Sequence, residues 1–363
     1  YDADPSVSTD EWLLPGRSPA RRNHVPVAGG TQFTEEWSVE FDNESGYSLV
    51  VVDGTVVCPV EDDGLHALSV SDGERRWRYR PPTEFDGGVA AAGRYLCCPT
   101  RSAFHRLGLD GAEAWQLPGY RRRTVLTALI YSRSYLPVGT TLFVTGDRGL
   151  EARDLASGLR YWTSADVGEE AYGAPIAFAD GTVYCSDSDF QTVRFSAFDA
   201  SEGESLWTTN EYEYRARDGA VVEDTLLAVG GTARDGRIQA LSTDDGSLRW
   251  EREAGDALYD IAVADGVVLC SGLHDRVHAF DLATGESRWR EGFDDEMRGT
   301  VLTDDHCYVH RSTGVEVRDP ATGDRLAMHE LDGGEARELA YAGGKLFALQ
   351  ATELAVLEVT DDA

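Results

Sequence analysis

The stretch VHAFDLATGESRWRE (277–291) sets the pattern of the whole chain. Small and large side chains alternate through 277–281, the period-two signal of a half-buried strand. The run breaks at Thr284-Gly285, where a glycine serves a tight turn that a Cβ would crowd. It then resumes for a few residues and ends on Trp289. The same phrase recurs, variously worn. It reads ALSVSDGERRW (67–77), LGLDGAEAW (107–115), ARDLASGLRYW (152–162), AFDASEGESLW (197–207), ALSTDDGSLRW (240–250) and VRDPATGDRLA (317–327), with a half-copy, AVLEVTDD, near the end. Trp37, Trp77, Trp115, Trp162, Trp207, Trp250 and Trp289 fall 38 to 47 residues apart, a spacing that belongs to propeller blades or solenoid units.

Strand signals decide between the two. Between copies lie paired β-rich runs joined by Asp53-Gly54, Asp180-Gly181, Asp265-Gly266 or Gly343-Gly344, the turn chemistry of two-residue hairpins. Each unit therefore predicts four antiparallel strands: two around the hairpin, a third carrying A-x-D, and a fourth ending in Trp. The large indole is expected on the outermost strand, filling the wedge between neighbouring blades, which widens with radius. Eight third strands and eight fourth-strand slots give an all-β, eight-bladed propeller. The chain starts with a fourth strand at Trp37 and stops after a third, so the Trp37 strand should pair with 336–359 and leave no free edge in the ring. Residues 37–360 are expected to form the propeller. Residues 1–36, rich in Pro, Arg and Ser, read as a tail or tether that orders on contact.

The charge narrows the partners. With 64 acidic against 33 basic residues the net charge is −31, and Lys345 is the single lysine. A surface of this sign repels phosphate backbones and anionic lipid, so nucleic acid drops out. The acids are dispersed rather than gathered in a tail, a pattern expected of a halophile's protein, whose repulsion salt would screen. No apolar run reaches the roughly 18 residues of a membrane span. Because the sequence begins at Tyr1, any signal peptide or lipid anchor is expected to have been removed or never built.

The string A-x-D-x-x-T-G-x-x-x-W, nearly verbatim at 279–289, resembles the pyrroloquinoline-quinone (PQQ) repeat. That family includes quinoprotein alcohol dehydrogenases and BamB-type scaffold lipoproteins of outer-membrane assembly. The lead-in DEWLLPGRSPARRNHVP (10–26) resembles the segment before the first blade in secreted haloarchaeal members. The resemblance implies an extracellular or surface-anchored location. It leaves open a scaffold or a quinone enzyme, because a repeat motif specifies packing rather than chemistry. Family dehydrogenases carry a Ca²⁺ site, a Trp beneath the cofactor and a vicinal disulfide above it; Cys97-Cys98 is the matching pair of letters here. Against that match, Cys58, Cys97, Val144, Cys185, Ala228, Cys270, Val309 and Ala348 all lie four residues after a hairpin glycine or its equivalent. They read as one second-strand position reserved for a small apolar side chain. No Glu/Asn/Asp set can be assigned, so PQQ with calcium is disfavoured and no cofactor or metal is expected. His274/His278 and His306/His310 are spaced for a helix, not a strand, where four residues span about 13 Å.

The same alignment picks out the residue leading into each innermost strand: Tyr47, Asp86, Arg133, Ala174, Arg217, Tyr259, Arg298 and Arg337. Four arginines and two tyrosines on one ring would form a positive funnel suited to a carboxylate, phosphate or acidic peptide. The alternative is that each arginine pairs with neighbours such as Asp218, Asp260, Glu296 or Glu338. Arg121, Arg122 and Arg123, in an insert at 119–137, could grip an acidic partner or could be salt-bridged to their own surroundings. The expected function is that of a monomeric, non-enzymatic propeller at the surface of a halophile, binding a protein or a small anionic ligand at its channel mouth. A PQQ-dependent dehydrogenase and a carboxylate sensor are the alternatives.

Overall fold

The computed structural model describes residues 7–85, 88–118, 135–146, 149–164, 174–188, 193–210, 212, 216–232, 235–332 and 334–361. Regular structure among them is entirely β, in eight antiparallel four-stranded sheets: an eight-bladed propeller. Seven blades are built from four consecutive strands each. The eighth joins Ala336–Ala342, Lys345–Gln350 and Glu353–Thr360 to the first strand of the chain, Gln32–Glu40. Trp37 lies opposite Val356, and one register shift between Glu35 and Trp37 bends the added strand. The expected closure is thus present.

The hairpins adopt the left-handed backbone their sequences require. Asp53 and Gly54 have φ of 48° and 64°, and Asp265 and Gly266 have 46° and 74°, the double positive φ of a type I′ turn. The A-x-D aspartate closes the next turn. Asp281 Oδ1 accepts the Ala283 and Thr284 amides at 3.1 and 2.9 Å, while Arg288 donates to Oδ2 at 2.8 Å. Those donors, Arg288 foremost, hold the Asp281 carboxyl down to about 2.

The motif's tryptophan and glycine serve each other across copies. Trp37 Nε1 donates to Val70 O at 3.0 Å, Trp162 to Ala200 O at 3.0 Å, and Trp289 to Pro320 O at 2.9 Å. Each acceptor sits on the third-to-fourth-strand turn of the following blade. There the indole covers the turn glycine: a Cβ on Gly73 would lie 2.8 Å from the Trp37 ring, and one on Gly203 2.5 Å from Trp162. The turn glycine is therefore required both by its positive φ and by the preceding blade's indole. The motif's alanine stands opposite its own tryptophan in the ladder, as Ala279↔Trp289 and Ala197↔Trp207 do.

Packing divides the molecule into two compact units, one of Pro19–Arg21 and Ala90–Tyr259, the other of Val7–Ser18, Arg22–Val89 and Asp260–Ala363. In each, the segment before the first strand bonds to innermost strands. In the first unit the Pro19 and Ala20 carbonyls accept from Phe178 and Val221. In the second, Arg22 O and Asn23 O accept from Val263 and Leu302, and Trp12 bridges Val51. Buried backbone groups need such partners, and the lead-in supplies them.

Candidate functional site

Three of the residues that lead into innermost strands are displaced from the regular ladder. Arg217 is the extra residue of a bulge between Ala216 and Asp218, and Arg337 of one between Ala336 and Glu338. Arg298 falls in the irregular stretch between Met297 and Thr300. A bulge leaves one residue unpaired and re-aims its side chain, as the two bulges do for Arg217 and Arg337.

In the first unit the Arg217 guanidinium lies over the Tyr259 ring, 4.5 Å from its centroid, and Arg217 Nε donates to Gly231 O at 3.3 Å. In the second, Tyr47 lies between two arginines, with Arg337 at 4.1 Å and Arg298 at 5.8 Å from its ring centroid. Its hydroxyl donates to Glu335 at 3.1 Å. Arg337 Nη2 donates to Glu44 at 2.8 Å and pairs with Glu335 at 3.2 Å; Arg298 pairs with Glu296 at 2.9 Å. Gln350, wholly enclosed, donates to Gly334 O at 3.1 Å and steadies the turn that carries Glu335. Burial lowers the Arg337 pKa, with Glu44 opposing, and raises that of Glu296.

The sequence-derived ring is thus brought together in two clusters, Arg217 with Tyr259 and Tyr47 with Arg298 and Arg337. Ala174 begins an innermost strand. Asp86, Arg133 and Arg121 to Arg123 lie outside the described residues. Of the carboxylates foreseen as partners, Glu296 holds Arg298, while Asp218 and Asp260 are reached from the lead-in, by Arg21 at 3.9 Å and Asn23 at 2.9 Å. Glu44 and Glu335 were not foreseen. In a chain with 64 acids, no single carboxylate stands out as a partner before the fold is known. Three glutamates against two arginines leave the Tyr47 cluster with no excess of positive charge.

The quinone site was tested against the cysteines. Cys97 and Cys98 lie in an unbroken ladder, paired to Arg106 and His105, and both thiols are buried. Cys98 Sγ reaches the His105 carbonyl at 3.9 Å, and desolvation pushes the Cys97 thiol up to about 12. All eight residues of the aligned second-strand position are buried, Cys58, Cys97, Cys185 and Cys270 among them. Adjacent residues of a regular strand face opposite sides, so this pair does not fit a vicinal disulfide over a cofactor. Among the described residues, no group of three or more His, Cys, Asp or Glu side chains is placed to hold a metal ion.

The family described as outer membrane protein assembly factor BamB matches residues 102–326 and 234–361. The chain belongs to that family. The BamB of Yersinia pestis is 24% identical over 267 residues, covering 66% of this chain and 64% of that protein. The serine/threonine-protein kinase AfsK of Streptomyces coelicolor is 27% identical over 208 residues, covering 56% of this chain but only 23% of the kinase. The chain therefore spans less than two thirds of either relative. The quinohemoprotein alcohol dehydrogenase of Comamonas testosteroni aligns with a TM-score of 0.72 over 98% of this chain and 81% of that one, at 12% identity. At that identity the likeness is one of fold. No helix among the described residues is long and apolar enough to cross a membrane.

Proposed function

We propose that this BamB-family propeller is a non-enzymatic scaffold at the cell surface of a halophile, and that it docks a protein partner through the cluster of Tyr47, Arg298 and Arg337, with Arg217 and Tyr259 a candidate contact in the other unit. The observation that carries this reading is the ion-paired state of the Tyr47 cluster. Arg298 and Arg337 already hold Glu296, Glu44 and Glu335, so a small free anion would have to displace internal carboxylates held at close range. A protein surface brings groups of both signs and can reconnect arginines and glutamates together. The aromatic and arginine content of both clusters matches the residue types that dominate protein interfaces.

A photo-crosslinking residue at position 47 or 259, expressed in the native cell, tests the scaffold. The expected result is a discrete protein adduct from each position, that from position 47 weakened by Arg298→Ala, and none from the outer-strand position Tyr161. Equal adducts from all three would sink the assignment. The quinone alternative is checked separately by adding PQQ and Ca²⁺ and assaying dye-linked alcohol oxidation; turnover would overturn the non-enzymatic reading.

A further inference from the structure

A second recess lies in the same unit, beside the segment that leaves the first strand. It encloses about 550 Å³, within the range of small-molecule pockets. Its floor is apolar, with Phe41, Val60 and Leu68, all buried. Its two sides differ in charge. The outermost strand of blade 1, Arg75–Tyr79, and the residue after it contribute Arg75, Arg78 and Arg80; the 40–42 segment contributes Glu40 and Asp42.

The cationic side is held in place from within. Asp63 accepts from Arg78 Nη1 at 2.9 Å, from Arg80 Nη2, and from His66 Nε2 at 2.7 Å, and these donors hold its carboxyl well below the usual range. His66 meets the Phe41 ring edge-on at 5.6 Å, which ties the charged wall to the apolar floor. Arg75 is different. Its side chain makes no hydrogen bond or ion pair with any described residue, and neither do the side chains of Glu40 and Asp42 on the other side. In a protein of net charge −31, an arginine lining a recess with no carboxylate attached is an exception.

The geometry points to a binding site for an apolar zwitterion, a free α-amino acid with an aliphatic or aromatic side chain. Its carboxylate would meet Arg75, its ammonium Glu40 or Asp42, and its side chain the Phe41–Leu68 floor. The two charge-assisted pairs to the head group give the orientation, and the floor under the side chain gives the affinity. This site is separate from the Tyr47 cluster, so its failure leaves the scaffold reading standing and the reverse holds as well.

Isothermal titration with L-phenylalanine, L-phenylalaninamide and 3-phenylpropionate tests it, since the latter two each delete one charge. The zwitterion is expected to bind best, with about tenfold loss for either analogue, the size of one charged hydrogen bond. Arg75→Ala should erase the difference between phenylalanine and its amide. Glu40→Gln with Asp42→Asn should erase the difference between phenylalanine and phenylpropionate. Arg290→Ala, an arginine outside the recess, serves as the control and should leave all three affinities unchanged. Equal binding of the three compounds, no binding of phenylalanine, or a loss in the Arg290 variant matching that of Arg75 would each overturn the proposal.

Discussion

Arg337 and Arg75 belong to the same unit and are used in opposite ways. Arg337 is about 5% exposed, stacked on Tyr47 and claimed by Glu44 and Glu335. Arg75 is exposed at the lip of a recess, its side chain without a hydrogen bond or ion pair to any described residue. A guanidinium costs free energy to bury and needs partners, so the buried one braces the fold as well as belonging to the proposed docking cluster. The exposed one has no structural debt and is free for a ligand. If this division is right, removing the two arginines should separate stability from binding.

The seam between blades sets the scale for stability. Trp37 joins the terminal strand to the blade 1 turn through Val70 and Gly73, and its ring packs against an apolar core that includes Val56, Leu68 and Val356. Trp37→Ala is expected to cost about 3 kcal/mol, the low end for a large aromatic because the ring is only partly buried. Urea unfolding followed by far-ultraviolet circular dichroism checks this. A cost below that of Arg337→Ala would mean that the ion-paired cluster, and not the terminal strand, holds the unit together.

Arg337→Ala comes next, at about 2 kcal/mol. The loss is limited because Glu44 is mostly exposed and can rehydrate once its partner is gone. Arg337→Lys should recover little, since a lysine keeps the charge but not the planar stack on Tyr47. A fully rescued lysine variant would reduce the cluster to simple charge pairing.

The fold was open to sequence reading because one phrase is written eight times and each copy carries its own turn chemistry. The positions of Tyr47, Arg217, Tyr259, Arg298 and Arg337 followed from counting back from the hairpin glycine. The bulges that turn Arg217 and Arg337 off the ladder left no such mark, since a bulge is a register fact between two strands. The pairing of Trp37 with Gly73 was hidden for a related reason: the two belong to neighbouring copies, and comparing copies aligns like with like. The lead-in bonds through backbone carbonyls of Pro19, Ala20, Arg22 and Asn23, which no side chain announces. Reading residues 1–36 as a tail left those bonds unforeseen.

Acid offers a smaller test of what is structural in the second unit. His310 is wholly enclosed in blade 7, neither ring nitrogen has a hydrogen-bond partner among the described residues, and desolvation lowers its pKa from 6.5 to about 3. Below its unfolded pKa the unfolded chain takes up a proton that the folded one refuses. The stability tied to neutral His310 is therefore complete above about pH 6.5 and drains away as the pH falls toward the folded value, by at most ~1.4 kcal/mol per pH unit. His310→Leu, compared with wild type by urea midpoints across that range, should show a flatter acid limb. Parallel limbs would assign the acid sensitivity to carboxylates held low by arginines, such as Asp63 beside Arg80 and Arg78.

The smallest expected effect decides the comparison. Arg75→Ala should change stability by less than about 0.5 kcal/mol, as exposed substitutions without partners do. Asp63→Asn is the informative companion, because it releases Arg78 and Arg80 while leaving Arg75 in place. If Arg75 acts alone, Asp63→Asn lowers stability and keeps phenylalanine binding near wild type. If the whole cationic wall must be fixed before a ligand is held, both fall together. The second outcome would make Arg75 part of the same kind of internally braced cluster as Arg337, and the distinction between the two arginines would then be one of exposure only.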